Sequence, residues 1–272
     1  KKYKIENTNL MLAGGVFGNV KINQVLKEMK QINKLFVQPQ MGDGGLCLGA
    51  AALSANEKNI KIKPMLSVFL GPAPNLAVIS QNKFREEEVS KHLTSRICQD
   101  LKESKVIGLI RGRMEFGPRA LCNRSILYKT SDKTINKWLN DRLSRTEFMP
   151  FAPVIRSETA NKYFIKIDVK DRTFKFMTCT VKCSKEFQDK CPAVTHIDGT
   201  ARPQIIEKKE NDFMWKLLKL WEKESGEFSL VNTSFNAHEE PIICDNKEAL
   251  DALDKRIVDV LYIENYRFVK IR

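Results

Sequence analysis

Hydrophobic and polar positions in the first 70 residues follow the order strand, glycine turn and helix, twice over. Residues 10–13 form a short apolar run that ends at Gly14 and Gly15, and apolar positions at helical spacing then predict a helix over 19–29. Residues 34–37 predict a second strand, which leads through the glycine-rich segment 41–45 to a helix rich in small residues that suit close packing on a sheet. This arrangement can present backbone N–H groups to a phosphate, although similar turns occur in most α/β folds without one.

The later pattern predicts further strands and helices without an internal repeat. Residues 64–78 contain three prolines and no helical period, which predicts a linker, and an amphipathic pattern predicts a helix over 86–103. Strands are expected at 106–111, 153–155, 175–181, 228–231 and 258–263, and helices at 134–143, 212–224 and 247–254. The helix 212–224 has the clearest apolar face, and Gly226 is its expected C-cap.

The charge changes this picture, because 46 Lys and Arg residues give a net charge of +13 and are spread along the whole chain. Such an excess is typical of a solvated basic surface, and less often of a nucleic-acid groove or a pocket for anions. No segment approaches the roughly 20 apolar residues that span a bilayer, and the first residues lack the apolar part of a signal peptide. We therefore expect no membrane partner and a cytoplasmic location.

The seven cysteines are an odd number and lie mostly in apolar runs, which favours reduced, buried thiols. The alternative is a zinc site on Cys179, Cys183, Cys191 and His196. Their spacing does not match a known structural zinc motif, so reduced thiols are the preferred interpretation.

The segment GRMEFGPRALCNRS, residues 112–125, carries the strongest chemical signal. Arg113, Arg119 and Arg124 lie in it, directly after a predicted buried strand and next to a Gly-Pro turn, with Asn123 beside them. Arginine forks bind phosphates and carboxylates through paired hydrogen bonds, so several of them on a rigid turn predict an anion site. Glu115 is expected to orient one of these arginines.

Three further segments add polar groups to this picture. In PAVTHIDGTARPQ, His196 and Asp198 would share one face of an alternating strand, with Arg202 nearby. SLVNTSFNAHEEP places a dense set of neutral donors and acceptors after a strand, which can hold a phosphate, ribose or carbamoyl group or can satisfy its own backbone. In SRTEFMPFAPV, Arg145 is a candidate ligand and the Phe and Pro residues are expected to pack.

Taken together, GRMEFGPRALCNRSIL, RTEFMPFAPV, HIDGTARPQ and NTSFNAHEEPI resemble the carbamoyltransferase family that includes the NodU and antibiotic O-carbamoyltransferases. The resemblance implies an α/β fold: a YrdC-like mixed twisted sheet with helices over 105–272, and a linker and connecting helix over 73–104. LAGGVFGNV and VQPQMGDGGLCLGAA resemble the end of an ASKHA-type (actin- and Hsp70-like) ATPase domain, placed over residues 1–72.

The resemblance also implies a chemistry and a set of residues. ATP and carbamoyl phosphate are converted to carbamoyl adenylate, and the carbamoyl group passes to a small-molecule hydroxyl acceptor. The implied catalytic residues are Arg113, Arg119, Arg124, His196 and Asp198. The implied substrate and nucleotide ligands are Asn123, Arg202, Asn232, Ser234, Asn236, Gly14, Gly15 and Asn19. Asp43 would help to hold a divalent metal, Mg or Fe, once the front of the ATPase-like domain is present.

Several positions depart from the family pattern. Cys122 and Glu239 stand where relatives usually have glycine, and Ser144 stands where many have lysine. Family members are about twice this long, so the expected activity of this chain is the adenylation half-reaction, with the remaining ATPase-like part supplied by the same or a separate chain. The alternative from another functional class is a basic RNA- or tRNA-binding YrdC-like module without carbamoyl transfer, which predicts RNA affinity that falls steeply with salt.

Overall fold

The computed structural model describes residues 6–65, 67–75, 83–144 and 150–271. In the first part of the chain, two parallel strands pair along their length, and each is followed by a helix. These elements are β1 (Thr8–Leu12), α1 (Val20–Lys27), β2 (Ile32–Val37) and α2 (Leu46–Glu57). The predicted strand-turn-helix order is therefore confirmed.

The remainder of the chain builds one large sheet with helices on both faces. Its elements, in chain order, are β3 (Phe84–Glu88), α3 (Leu93–Lys102), β4 (Ile107–Ile110), β5 (Arg124–Lys129), α4 (Ile135–Arg142), β6 (Ala152–Arg156), α5 (Ser157–Tyr163), β7 (Val181–Lys182), α6 (Lys185–Lys190), β8 (Thr200–Ala201), β9 (Gln204–Ile206), α7 (Asp212–Ser225), β10 (Ser229–Ser234), α8 (Asn246–Asp254), β11 (Val260–Ile263) and β12 (Tyr266–Lys270). Strands β7 and β8 form a separate antiparallel pair.

Within the described residues, eight strands form the large sheet in the order β3-β12-β11-β4-β5-β10-β6-β9. The pairs β4/β11 and β6/β9 are parallel and the others are antiparallel, so the sheet is mixed, as predicted. Side chains alternate between its faces: Leu109 packs with α3 and α7, whereas its neighbour Ile110 packs in the core that includes α4 and α8. Burial on both faces explains why β4 is apolar at every position.

Two expectations for secondary structure were wrong. Residues 84–88 form the edge strand β3 rather than the start of a helix, because Phe84 to Glu88 pair with β12, and α3 begins only at Leu93. Residues 175–180 form no strand despite their alternating pattern, since Thr178 and Thr180 are buried by contacts with the first part of the chain. The C-cap at Gly226 is confirmed, with the left-handed φ of 77° that glycine adopts without strain.

Helix α1 joins the first part of the chain to the large sheet through two buried amides. The Asn23 Nδ2 group donates to the carbonyl of Thr178 at 2.8 Å, and Thr180 Oγ1 donates to Gln24 Oε1 at 2.7 Å. Asn23 is fully buried, and a buried polar group of this kind needs its partner because losing the partner costs roughly 1–3 kcal/mol. The two regions are therefore held in a defined register by α1.

Helix α2 contrasts with α1, because it buries none of its residues in the described part of the chain. Leu46 and Leu53 are 70% and 68% exposed. The close packing on a sheet that its small residues suit is thus not observed. No helix among the described residues is long and apolar enough to cross a membrane.

A buried ion pair lies between helix α3 and the outer strands β11 and β12 of the large sheet. The Arg267 guanidinium donates twice to the Asp100 carboxylate, at 2.8 Å each, and Tyr262 Oη donates to the same carboxylate at 2.6 Å. Burial of the carboxylate opposes its ionisation, but these hydrogen bonds outweigh it and lower the pKa of Asp100. The contact ties α3 to β11 and β12.

Candidate functional site

The arginine-rich segment 112–125 leaves β4 and returns into β5, and a buried carboxylate holds it in shape. Glu115 Oε1 accepts hydrogen bonds from the backbone N–H groups of Leu121, Asn123 and Arg124, at 2.6, 2.8 and 3.3 Å. Burial raises the pKa of Glu115, while these hydrogen bonds oppose the rise. The expected contact with an arginine side chain is not among the contacts the structure describes, and Glu115 orders the backbone of the loop instead.

Gly117 shows why the loop needs glycine at its tip. Its φ is 145°, and a Cβ atom there would lie 3.0 Å from the carbonyl oxygen of Pro39. Only a residue without a side chain fits both the conformation and the approach. The loop therefore lies directly against the segment that leads from β2 to α2.

Arg124 is completely buried and binds main-chain carbonyls. Its Nη1 donates to the carbonyls of Gly112 and Asn123 at 3.1 and 2.8 Å, and its Nη2 donates to Pro72 at 3.0 Å. Burial lowers the pKa of its guanidinium. The side chain thus connects the arginine segment to residues 70–72, and its implied catalytic role stays a prediction.

Arg113 lies at the exposed side of the same segment. Its guanidinium donates to the carbonyls of Leu70 and Gly71, at 2.5 and 2.9 Å, and the side chain of Asn123 donates to the Arg113 carbonyl at 2.8 Å. Arg113 and Asn123 are therefore neighbours, as expected, and Arg113 rests against residues 70–71.

Arg119 is the arginine whose surroundings call for an anion. Its Nη2 donates to the carbonyl of Gly18 at 3.0 Å, and its Nε, like that of Arg124, is buried without a partner. Within the described residues no carboxylate pairs with it, and burial alone accounts for the lowered pKa of its guanidinium. Because arginine stays protonated in proteins, the contact brings a poorly compensated positive charge to the start of α1.

A second cluster ties the arginine segment to the middle of the sheet. The amide of Asn232, on β10, donates to the carbonyl of Ala120 at 3.1 Å and to Gln204 Oε1 at 2.6 Å. Gln204 Nε2 donates in turn to the carbonyl of Leu121 at 3.1 Å, and Cys122 Sγ lies between the two amides. Asn232 was predicted from its motif; Gln204 was missed, although it closes the quoted segment HIDGTARPQ.

His196 and Asp198 lie close together, but on a turn and not on one face of a strand as expected. The turn is closed by Gly199, whose φ is 72°, and strand β8 begins only at Thr200. Thr200 contacts both side chains: its Oγ1 donates to Asp198 Oδ1 at 2.6 Å and lies 3.1 Å from His196 Nδ1. Lys21 of α1 donates to the other oxygen of Asp198. Neither Thr200 nor Lys21 was predicted.

The charges of this turn follow from these contacts. Burial and the neighbouring Arg202 lower the pKa of His196 to about 4, so its ring is neutral near pH 7. Although partial burial opposes it, the hydrogen bonds from Lys21 and Thr200 lower the pKa of Asp198 to about 2. The turn thus contains an ionised carboxylate next to a neutral imidazole.

The first part of the chain contributes the start of α1 rather than an open glycine turn. Gly14 has a φ of 119° and donates its N–H to the carbonyl of Met41 at 2.6 Å. The side chain of Asn19 caps α1 by accepting from the N–H groups of Lys21 and Ile22. Gly14, Gly15 and Asn19 therefore lie next to Gly18 and its contact with Arg119, and their role in binding nucleotide stays a prediction.

The described residues do not by themselves form the metal site that the family resemblance implies, and the role of Asp43 beside the front of the ATPase-like domain stays a prediction. Among the described residues, no three His, Cys, Asp or Glu side chains are grouped so that they could hold a metal ion. Asp43 is exposed, and one carboxylate does not make a metal site. The cysteines are free thiols in the described structure: Cys47 and Cys244 are exposed and the other five are buried.

Ser234 and Asn236 lie at and beyond the end of β10. Ser234 ends β10 opposite Ser125, and Asn236 follows it and donates to the carbonyl of Glu240 at 2.7 Å. Asn236 lines a separate cavity of about 220 Å³ next to α8. Arg145 lies outside the described residues.

A larger cavity opens beside the arginine segment, at the residues where Leu121 and Gln204 meet. Its volume is about 540 Å³, within the range of small-molecule sites. Its walls include the aromatic rings of Phe69 and Phe176, and Arg172 lies at its edge. The remaining lining residues are Ser67, Val68, Lys175, Ile205, Ile206, Lys209, Glu210 and Asn211. Among the described residues, none that was predicted to bind substrate lines this cavity, although Leu121 and Gln204 belong to two of the quoted motifs.

Comparison with known proteins gives the chain a family. The model described as "Carbamoyltransferase C-terminus" matches residues 98–270, and the one described as "Carbamoyltransferase N-terminus" matches residues 1–52. The chain belongs to the carbamoyltransferase family. It therefore shares its ancestry with transferases, and the family predicted from the four motifs is confirmed.

Curated relatives support the same assignment. The chain is 33% identical to an uncharacterized protein of Methanocaldococcus jannaschii over 98% of the chain and 45% of the relative. It is 34% identical to nodulation protein NolNO of Sinorhizobium fredii, over 96% of the chain and 40% of the relative. Nodulation protein U of Rhizobium tropici is 32% identical, over 85% of the chain and 39% of the relative. The chain thus spans about half or less of the length of these relatives.

Solved structures show a more distant likeness. A crystal structure of full-length HypF, in a phosphate- and nucleotide-bound form, has 21% sequence identity and a TM-score of 0.43, over 70% of this chain and 22% of that one. A HypF structure from T. kodakarensis has 13% identity and a TM-score of 0.45.

The departures from the family pattern coincide with unusual backbone conformations. Cys122, Ser144 and Glu239 all have left-handed φ angles, of 79°, 55° and 60°. Glycine adopts this region without strain, whereas other residues pay roughly 1–2 kcal/mol for it. The backbone therefore gives a reason for the glycine that relatives usually carry at the positions of Cys122 and Glu239.

Proposed function

We propose that this chain activates carbamoyl phosphate with ATP, forming carbamoyl adenylate for transfer to the hydroxyl group of a small-molecule acceptor. The reaction consumes one water and releases phosphate and pyrophosphate, while a carbamoyl oxygen becomes bonded to the α-phosphorus of ATP. Membership of the carbamoyltransferase family supports the transferred group. The adenylate step and the use of ATP are our proposal, and so is the limitation of this chain to that step.

The observation that carries the proposal is the partly buried guanidinium of Arg119. It has no carboxylate partner among the described residues, and its Nε is buried and unpaired. Buried charges in proteins are normally paired, so an uncompensated cation at the junction of two loops is suited to a bound anion. A phosphate that accepts from this guanidinium would remove the energetic penalty and leave the cation fully compensated.

The neighbouring groups suit the other parts of the substrates. Asn232 and Gln204 hold the backbone of residues 120–121 beside Arg119, and this rigidity allows the site to stabilise developing charge without reorganising. We place the base and ribose of the nucleotide in the 540 Å³ cavity, which Leu121 and Gln204 border and which has aromatic walls at Phe69 and Phe176. Apolar walls with a few polar groups are typical of such sites.

Binding and catalysis can be tested with one variant and one matched control. Arg119→Met removes the cation and keeps the apolar bulk, whereas Arg85→Met removes an exposed arginine from β3. We expect ATP and carbamoyl phosphate, each at millimolar concentration, to raise the melting temperature of the wild type and of Arg85→Met. Arg119→Met should fold, because it loses a partly buried charge that has no carboxylate partner among the described residues, but should no longer respond to either ligand.

The adenylation reaction is measured as exchange of labelled pyrophosphate into ATP in the presence of carbamoyl phosphate. Exchange by the wild type and its loss in Arg119→Met would support adenylation. Absence of both exchange and binding at millimolar substrate would refute the proposal for this chain. Cross-linking with 8-azido-ATP tests the cavity: labelled peptides should contain residues 67–69 or 204–211, and labelling elsewhere would contradict the placement of the base.

A further inference from the structure

The turn that contains His196 is connected to helix α1 by an unbroken series of hydrogen bonds. Lys21 Nζ donates to Asp198 Oδ2, Thr200 Oγ1 donates to Asp198 Oδ1 at 2.6 Å, and Thr200 Oγ1 contacts His196 Nδ1 at 3.1 Å. The Thr200 N–H also donates to Asp198 Oδ1, at 3.1 Å. Lys21 is itself held by Gln24 Oε1 at 3.1 Å, on the buried face of α1.

The direction of each hydrogen bond follows from the chemistry of the donors and acceptors. Asp198 is ionised and can only accept, so the single hydroxyl proton of Thr200 points to the carboxylate, the stronger acceptor at the shorter distance. Thr200 Oγ1 then has only lone pairs to offer His196. The contact of 3.1 Å is therefore a hydrogen bond in which Nδ1–H of His196 donates.

The neutral state of the ring completes the assignment. A neutral imidazole carries one proton, and if that proton lies on Nδ1, then Nε2 carries a lone pair and acts as an acceptor. The groups that face His196 are Arg202, Asp198 and Lys21, and the nearby positive charges help to keep the ring unprotonated.

We propose that Lys21 and Thr200 are positioning residues that hold His196 as the Nδ1–H tautomer, so that its Nε2 accepts a hydrogen bond from the amino group of the carbamoyl donor. This inference rests on the proposed function and deepens it, because it gives the site a means of selecting its substrate. Carbamoyl phosphate has an amino group where acetyl phosphate has a methyl group. A site built around a hydrogen-bond acceptor rejects an analogue that cannot donate, since the acceptor is left unpaired.

The tautomer can be measured directly, without any activity. The chain has three histidines, so His92→Gln and His238→Gln identify the signals of His196 in long-range ¹H–¹⁵N spectra. In the wild type near pH 7, Nε2 should show the chemical shift of an unprotonated nitrogen and Nδ1 that of a protonated one. Thr200→Val should shift the ring toward the Nε2–H tautomer, and Thr200→Ser should restore the wild-type spectrum.

Lys21 is tested by Lys21→Met, with Lys21→Arg as the conservative control. The contact between Lys21 and Asp198 is solvent-exposed and contributes little to stability, so Lys21→Met should fold normally. It should raise the pKa of His196, because it removes a nearby positive charge and leaves Asp198 uncompensated, and Lys21→Arg should restore the pKa. A protonated Nε2 in the wild type, or an unchanged tautomer in Thr200→Val, would overturn the assignment. An unchanged pKa of His196 in Lys21→Met would show that Lys21 is not a positioning residue.

Substrate selection is tested by comparing carbamoyl phosphate with acetyl phosphate in ligand-induced thermal stabilisation. The wild type should prefer carbamoyl phosphate, and Thr200→Val should reduce that preference by about tenfold to a hundredfold while Thr200→Ser keeps it. If neither ligand binds although the tautomer is as assigned, then the proposed function fails and the positioning geometry stands. If both ligands bind equally well to the wild type, then selection by Nε2 is refuted.

Discussion

Glu115 offers the sharpest test of how the arginine segment is built, because two hypotheses for its role predict different results. If the carboxylate acts as an acceptor for backbone N–H groups, then Glu115→Gln keeps the essential oxygen and Glu115→Ala removes it. If the carboxylate instead pairs with an arginine side chain, then the charge matters and both substitutions should be equally harmful. The structure favours the first hypothesis, with three backbone donors on Oε1.

The magnitude follows from these contacts. Two of the three hydrogen bonds are short, at 2.6 and 2.8 Å, and each buried N–H left without a partner costs roughly 1–3 kcal/mol. Relief from burying a carboxylate offsets part of this loss, so we expect Glu115→Ala to lower the free energy of unfolding by about 2–4 kcal/mol. At roughly 2–4 °C per kcal/mol for a chain of this size, the melting temperature should fall by roughly 5–15 °C. Glu115→Gln should stay within about 1 kcal/mol of the wild type.

The dependence on pH provides an independent check on the same residue. Burial raises the pKa of Glu115 in the folded protein, so above the ordinary glutamate value of about 4.3 the unfolded chain loses its proton first. The stabilising contribution of Glu115 is therefore present in acid and is lost as the pH rises through the folded pKa. Urea unfolding between pH 4 and 8 should show Glu115→Gln gaining stability relative to the wild type as the pH rises. Equal losses for the Gln and Ala variants would refute the backbone role.

Three further predictions concern stability and accessibility. Asp100→Asn should cost about 3–5 kcal/mol in urea unfolding, because it leaves the buried guanidinium of Arg267 with only the more distant carboxylate of Glu87, at 3.5 Å. The wild type should lose this contribution as the pH falls, since the pKa of Asp100 is lowered in the folded state, and a loss below about 1 kcal/mol would contradict the prediction. Glu239→Gly should raise the free energy of unfolding by up to about 1 kcal/mol, because the side chain is exposed and glycine adopts the left-handed φ without strain. Glu239→Ala should not, and equal effects of the two substitutions would exclude backbone strain. A thiol reagent should modify Cys47 and Cys244 rapidly in the native protein and all seven cysteines after unfolding, and more than two fast thiols would contradict the described burial.

The sequence predicted the elements that its local pattern determines. The apolar stripe over 212–224 and the turn at Gly226 specify α7 and its cap without reference to the rest of the chain. Short segments were less predictable, because β3 depends on pairing with β12, about 180 residues away in the chain, and its sequence FREEE has no apolar alternation. For residues 175–180 the pattern predicted a strand that does not form, since the alternation reflects burial under α1 rather than strand pairing.

The site was predictable in its motifs and not in its contacts. The four segments were found because each has a dense, recognisable set of polar residues. In the structure, Arg119, His196 and Asp198 from these segments all lie near α1. Thr200 and Gln204 stood within a quoted motif, but their roles depend on which neighbour each side chain reaches. Lys21 carried no signal at all, because a lysine on the polar face of a helix has no pattern that distinguishes it from a solvated one.

The position of α1 has a consequence for how the site is held together. Arg119 contacts Gly18, just before the helix begins, and Asp198 contacts Lys21 in its first turn; these two contacts join residues that are 101 and 177 positions apart. Neither contact is strong enough to dock the helix, because one is a single hydrogen bond and the other is solvent-exposed. Docking depends instead on Asn23 and Gln24, which are buried one turn further along. The first part of the chain is therefore a structural component of the candidate site, and the orientation of Arg119 and His196 depends on amides that touch neither of them.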